Sequence, residues 1–187
     1  MEHETRFMQA TELELRVEEE EGATRIVGLI PFNSPSQDLG GFTERILPTA
    51  FANSLASGRE IKALWNHDHD KPLAARSLGT LRLRQTDKGL AISIKTPDTS
   101  WGRDAIECVR SKLCPGMSFG FHTNKDNWTT EAGATVRELV DVDLHEVSAV
   151  FNPAYTASQV DLRSRPKPWQ PSLAFLWLKQ KQAMAHR

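Results

Sequence analysis

Met117-Ser118-Phe119-Gly120-Phe121 alternates large apolar residues with small ones, the pattern of a β-strand with one buried face. Phe119 and Phe121 face one side and anchor the strand in a core. Ser118, Gly120 and His122 face the other, where small residues leave room for a peptide backbone. Upstream, the apolar run Ile61 to Trp65 ends in Asn66-His67-Asp68-His69-Asp70. Downstream lies Leu144-His145-Glu146-Val147-Ser148. Serine is a poor nucleophile unless a base takes its proton, and histidine is the usual base. A carboxylate can orient that histidine. The three segments together point to acyl transfer at a peptide bond.

Working outward, strands are expected over Met8 to Val17, Arg25 to Phe32, Ile61 to Trp65, Ser118 to Thr123 and Thr135 to Phe151. Ser77 to Arg84 and Leu90 to Lys95 read as a hairpin around Gly89. Pro48 to Ala56 reads as a short helix, and Thr99 or Ser100 caps a longer one through Leu113. Glu18 to Gly22 reads as a turn, and Asn127 to Ala134 as a polar excursion between strands. The fold class is α+β and β-rich, about seven strands in a barrel-like sheet with a few packed helices.

The chain has 187 residues, with 23 Lys and Arg against 24 Asp and Glu. A formal net charge of −1 excludes a general nucleic-acid binder, which needs a basic surface. Residues 1–21 nonetheless hold eight Glu and two Arg, while residues 162–187 hold six Lys and Arg and no acid. Arg163 to Pro171 contains three prolines and reads as a linker, followed by a helix over Ser172 to Ala185. The domain division is 1–162 for the folded domain and 163–187 for linker and basic tail. Cys108 and Cys114 read as free thiols of a reducing compartment. No stretch approaches the roughly eighteen apolar residues of a membrane span, and the acidic N-terminus does not read as a secretory signal.

Each candidate has a second reading. Ser118 alone is an ordinary small residue at a strand start. His122 shares its face but lies four residues away, roughly 13 Å along a strand, too far to serve as base. His67 and His69 could share a metal, although no other His or Cys is near in sequence to complete the set. As a base His67 is better placed, because it directly follows the apolar strand. Glu146 falls on the apolar face of Val140, Val142 and Leu144 if the strand is regular. It then needs a partner: an imidazolium, or an arginine such as Arg137.

Taken in order, these segments resemble the prohead maturation proteases of tailed bacteriophages, whose fold is related to the herpesvirus assembly proteases. The resemblance runs from Arg25 to Asp161. It is carried by Pro31-Phe32-Asn33-Ser34, Asp38-Leu39-Gly40-Gly41, Phe42-Thr43-Glu44-Arg45-Ile46 and Ala50-Phe51. It continues through Asn66-His67-Asp68, Gly89-Leu90, Met117 to Phe121, Leu144 to Ser148 and Asn152-Pro153-Ala154-Tyr155. Thr49 departs from the glycine usual before Ala-Phe. The resemblance implies a serine endopeptidase with Ser118 as nucleophile, His67 as general base and Glu146 as third member. His145 is the alternative third member, because the herpesvirus relatives use a histidine there. It implies action inside the immature capsid in the host cytoplasm, on the scaffolding segment of the major capsid protein and on the protease itself. Other implied partners are the portal and further prohead components, and a second copy of the chain. No cofactor, metal, nucleic acid or membrane is expected.

Overall fold

The computed structural model describes residues 3–9, 15–20 and 22–151. In chain order the elements are β1 (Glu4–Gln9), β2 (Arg16–Glu20), β3 (Ala23–Pro31), β4 (Thr43–Ile46), α1 (Ala52–Ala56), β5 (Lys62–Trp65), β6 (Asp68–Ala75), β7 (Leu81–Gln85), β8 (Gly89–Lys95), α2 (Ser100–Arg110), β9 (Gly116–Glu131) and β10 (Ala134–Val150). Thr99 caps α2 as its sequence suggests, its hydroxyl accepting from the Gly102 amide at 3.1 Å.

The strands form two sheets rather than the single barrel-like sheet of about seven expected from the sequence. One has the order β1-β9-β10-β5-β6, with β4 also paired to β10. The other is a four-stranded antiparallel sheet, β2-β3-β8-β7, in which two hairpins are joined through the β3–β8 pair. Apolar side chains from both fill one core: Ile26, Ile30, Leu90 and Ile94 from the smaller sheet, and Phe119, Phe121, Leu144 and Val147 from the larger sheet. Phe119 stacks on Phe121 at 5.0 Å and meets Phe51 edge-on at 5.7 Å. Each fully buried Phe contributes about 2–3 kcal/mol through lost apolar exposure.

Several sequence-based expectations are corrected. Met8 to Val17 is not one strand: β1 ends at Gln9 and β2, in the other sheet, begins at Arg16. The polar excursion at Asn127 to Ala134 is the far end of a long β9–β10 hairpin, turned at Ala132 and Gly133, both with positive φ. Polar residues extend that hairpin because it stands largely exposed. Asn66 to Asp70 forms a turn that leads directly into β6. Trp65 pairs with Asp68, so Asn66 and His67 are the two central residues of a tight hairpin, at φ 54° and 61°. These are the angles of a type I′ turn, which matches strand twist and which asparagine tolerates well. Histidine there is uncommon and strained.

The linker, the Ser172 to Ala185 helix and the basic tail lie outside the described residues. Among the described residues, no helix is long and apolar enough to cross a membrane. Cys108 and Cys114 are free thiols. Burial pushes the Cys114 thiol up to about 12, which keeps it protonated and unreactive.

Candidate active site

β10 is the central strand of the larger sheet, and it brings the candidate residues together. On one edge it pairs antiparallel with β9, so that Ser148 lies opposite Ser118 and Glu146 opposite Gly120. On the other it pairs parallel with β5, which delivers the His67 turn. The Asn66 amide donates to the Ala149 carbonyl at 2.9 Å, tying the turn down.

The placement of Glu146 depends on an irregularity that alternation does not predict. Val142 and Leu144 lie in the core, but so do Val147 and Ala149, because the register shifts between Leu144 and Glu146. One extra residue, His145, is accommodated there, and the strand changes face. Glu146 therefore does not interrupt the apolar face. It joins Ser118, Gly120 and Ser148 on the opposite side.

His67 Nδ1 lies 2.7 Å from Glu146 Oε1. A carboxylate can only accept, so Nδ1 carries the proton and Nε2 is left with the lone pair a general base needs. The other carboxylate oxygen, Oε2, accepts from the Ser148 hydroxyl at 2.6 Å, and Ser148 Oγ accepts from the His67 amide at 3.3 Å. Glu146 is thus held at both oxygens, and it is only 4 % exposed. Ser148 has no role in the sequence-based reading. Its signal was its position two residues beyond Glu146, on the same face of the strand. Glu146 does not pair with Arg137, which instead bonds Glu4, Glu44 and Asp126.

Ser118 is fully buried, and its hydroxyl donates to the Arg6 carbonyl of β1 at 2.7 Å rather than to His67. Gly120 has no room for a side chain: a Cβ would come within 2.7 Å of Glu146 Oε1 and within 2.7 and 2.8 Å of the His3 ring. His69 is exposed, beyond the turn. His145 does not approach Glu146 as a partner. Its Nε2 lies 2.7 Å from His122 Nδ1, and His3 packs against both rings. Among the described residues, no group of three His, Cys, Asp or Glu is arranged to hold a metal. A cleft of about 860 Å³ lies elsewhere, lined by Leu73, Leu78, Arg103 and Ile106 among others.

A second polar cluster lies under β1. Arg6 bonds Glu44 through Nε at 2.8 Å, and Glu4 bonds Arg137 at 2.6 Å and Thr123 at 2.6 Å. Burial pushes the Glu44 carboxyl upward against the pull of Arg6 and Arg137. Burial also works upward on Glu4, but the hydrogen bonds from Arg137 and Thr123 outweigh it and bring Glu4 down to about 2.

A family model described as caudovirus prohead serine protease matches residues 11–168. Among solved structures, the bacteriophage T4 capsid assembly protease, gp21, superposes with a TM-score of 0.50 at 10% identity, covering 80% of this chain and 98% of that one. At that identity the likeness speaks for the fold, a β-rich α+β architecture with a curled half-barrel sheet. No curated protein sequence matches the chain. With most of its length matched by the family model, the chain belongs to the caudovirus prohead serine proteases.

Proposed function

We propose that the chain is a serine endopeptidase that acts during bacteriophage prohead maturation, with Ser118 as nucleophile, His67 as general base and Glu146 as the acid that orients it. The observation that carries this is the 2.7 Å contact of His67 Nδ1 with a buried Glu146, on the sheet face that also holds Ser118. His67 Nε2 takes the Ser118 proton, Ser118 Oγ attacks the substrate carbonyl, and the imidazolium protonates the leaving amine. Water then hydrolyses the acyl-enzyme with His67 again as base. Glu146, fixed by Ser148, stabilises the imidazolium in both halves.

The substrates in this reading are the scaffolding segment of the major capsid protein and the chain itself, within the immature capsid in the host cytoplasm. Portal, other prohead components and a second copy of the chain are the further partners. Residues 1–162 form the protease domain and 163–187 a basic tail removed by self-cleavage. The kinship with herpesvirus assembly proteases belongs to this proposal too. A non-catalytic assembly protein on the same fold is the second reading, favoured by the burial of Ser118 and its bond to Arg6. Incubating the purified chain with the capsid protein of the same phage decides between them. Cleavage by the wild-type chain and none by Ser118→Ala is expected. Cleavage by both, or cleavage by neither together with no fluorophosphonate labelling of Ser118, rejects the enzyme.

A further inference from the structure

Ser118 is fully buried and its hydroxyl is already engaged, so no substrate can reach it while β1 is in place. β1 lies antiparallel to the strand that carries Ser118, in the register Glu4 to Phe121 through Gln9 to Gly116. An extended peptide added to a sheet edge takes this arrangement, with main-chain bonds giving affinity and pockets for alternate side chains giving selectivity. The carbonyl that meets Ser118 belongs to Arg6.

The alternate side chains have such pockets. Arg6 enters a buried site where its Nε and Nη2 meet the two oxygens of Glu44 at 2.8 and 3.2 Å, and its guanidinium lies 5.5 Å from the Phe121 ring centre. Glu4, two residues earlier, meets Arg137 and Thr123. His3 fills the space over Gly120 beside Glu146. The family match begins at residue 11, so β1 precedes the matched region.

We infer that the edge of β9 is the peptide-binding groove, that residues 4–9 occupy it as an internal pseudo-substrate, and that Glu44 selects a basic residue on the acyl side of the cleaved bond, with an acidic residue two positions before it. This rests on the serine-protease reading above. The Ser118 hydroxyl points at the oxygen of the Arg6 carbonyl, not its carbon, so β1 blocks the site without being cut. Its departure frees the nucleophile and empties a pocket with a carboxylate at its floor, suited to bidentate binding of a guanidinium.

The test uses two forms, the full chain and a chain lacking residues 1–10, with circular dichroism as the control for folding. The substrate is a quenched fluorogenic peptide of this chain's own residues 4–9, Glu-Thr-Arg-Phe-Met-Gln, and a variant with Glu in place of its Arg. The shortened chain is expected to hydrolyse the parent peptide at the Arg–Phe bond at least ten-fold faster than the full chain, and to leave the variant uncut. A folded shortened chain that is no faster than the full chain, while both react with a fluorophosphonate at Ser118, overturns the pseudo-substrate and leaves the protease standing. Cutting both peptides equally overturns the role of Glu44. If neither form hydrolyses peptide or reacts with the fluorophosphonate, the protease reading falls and takes this inference with it. Should the shortened chain fail to fold, Arg6→Ala in the full chain decides: a several-fold gain in hydrolysis upholds the inference, and no gain overturns it.

Discussion

His67 and Glu146 are 79 residues apart in sequence and 2.7 Å apart in space, nitrogen to oxygen. The contact exists because a two-residue turn ends β5 beside the point where β10 changes face. Both halves of it are backbone irregularities.

Ser118→Ala is expected to abolish peptide cleavage, by about five powers of ten or more if the activated nucleophile is lost. The fold should survive. One buried hydroxyl bond to the Arg6 carbonyl is lost, a change of about 1 kcal/mol. Cleavage assays beside thermal melts check both. A variant still near wild-type rate refutes the nucleophile.

His67→Ala is expected to be as damaging as Ser118→Ala, and the double variant no worse than either, because residues acting as a unit are not additive. His69→Ala should be close to wild type, since that side chain is exposed beyond the turn. An inactive His69→Ala would move the base to His69. Inhibition by chelators with recovery on zinc would replace the mechanism.

Glu146→Gln should slow cleavage less than His67→Ala, by a margin of roughly 10- to 100-fold. Ser148→Ala removes one bond to the Glu146 carboxylate and should cost about ten-fold in kcat with KM little changed. Ser148→Thr, which keeps the hydroxyl, should restore most of it. Steady-state kinetics on these variants beside the wild type checks this. An active Glu146→Gln beside an inactive His145→Ala would hand the third position to His145.

Gly120→Ala should leave the fold intact and lower kcat by about 100-fold. The new methyl meets side-chain atoms of Glu146 and His3, which can yield, but the yielding Glu146 drags His67 out of alignment. Equal melting temperatures with a large kinetic loss are the expected pair of results.

Acid should loosen the N-terminal end of the sheet. His3 and His145 are both held below 6.5, by burial first and then by neighbouring rings, His122 in both cases. Around them, Glu146 and Asp143 pull upward, and His67, His69 and Arg59 push down. A lowered folded-state value means these histidines stabilise the fold while neutral. That contribution is complete above about pH 6.5 and disappears as pH falls through the lowered values. Melting temperature should therefore drop on acidification below about 6.5, and less steeply in His145→Gln. An unchanged slope in the variant disproves the linkage.

What the sequence made legible was periodic. Alternation around Ser118 assigned Phe119 and Phe121 to the core, and capping chemistry placed α2 at Thr99. What stayed hidden was aperiodic or long-range. Strict alternation put Glu146 on the face of Leu144, and only the extra residue at His145 separates them. The polar string Asp68-His69-Asp70 concealed the start of β6, because its first residues are largely exposed and show no apolar rhythm before Leu73 and Ala74 enter the core. Ser148 and Arg6 matter through partners that no local pattern announces: Ser148 through a carboxylate, Arg6 through a backbone carbonyl.

The central place of β10 has a consequence for timing. It is the last strand of the described residues, and β9, β4 and β5 all pair with it. A nascent chain still short of Glu146 lacks the acid proposed to orient His67, and its β5, paired with β6 alone, lacks the segment Glu146 to Ala149 on which it docks. Since domains fold as synthesis proceeds from the N-terminus, ribosome-bound intermediates of that length carry Ser118 and His67 without the segment of β10 that lies between their two strands. On the proposed catalytic reading, the order of strands along the chain postpones activity until β10 is complete.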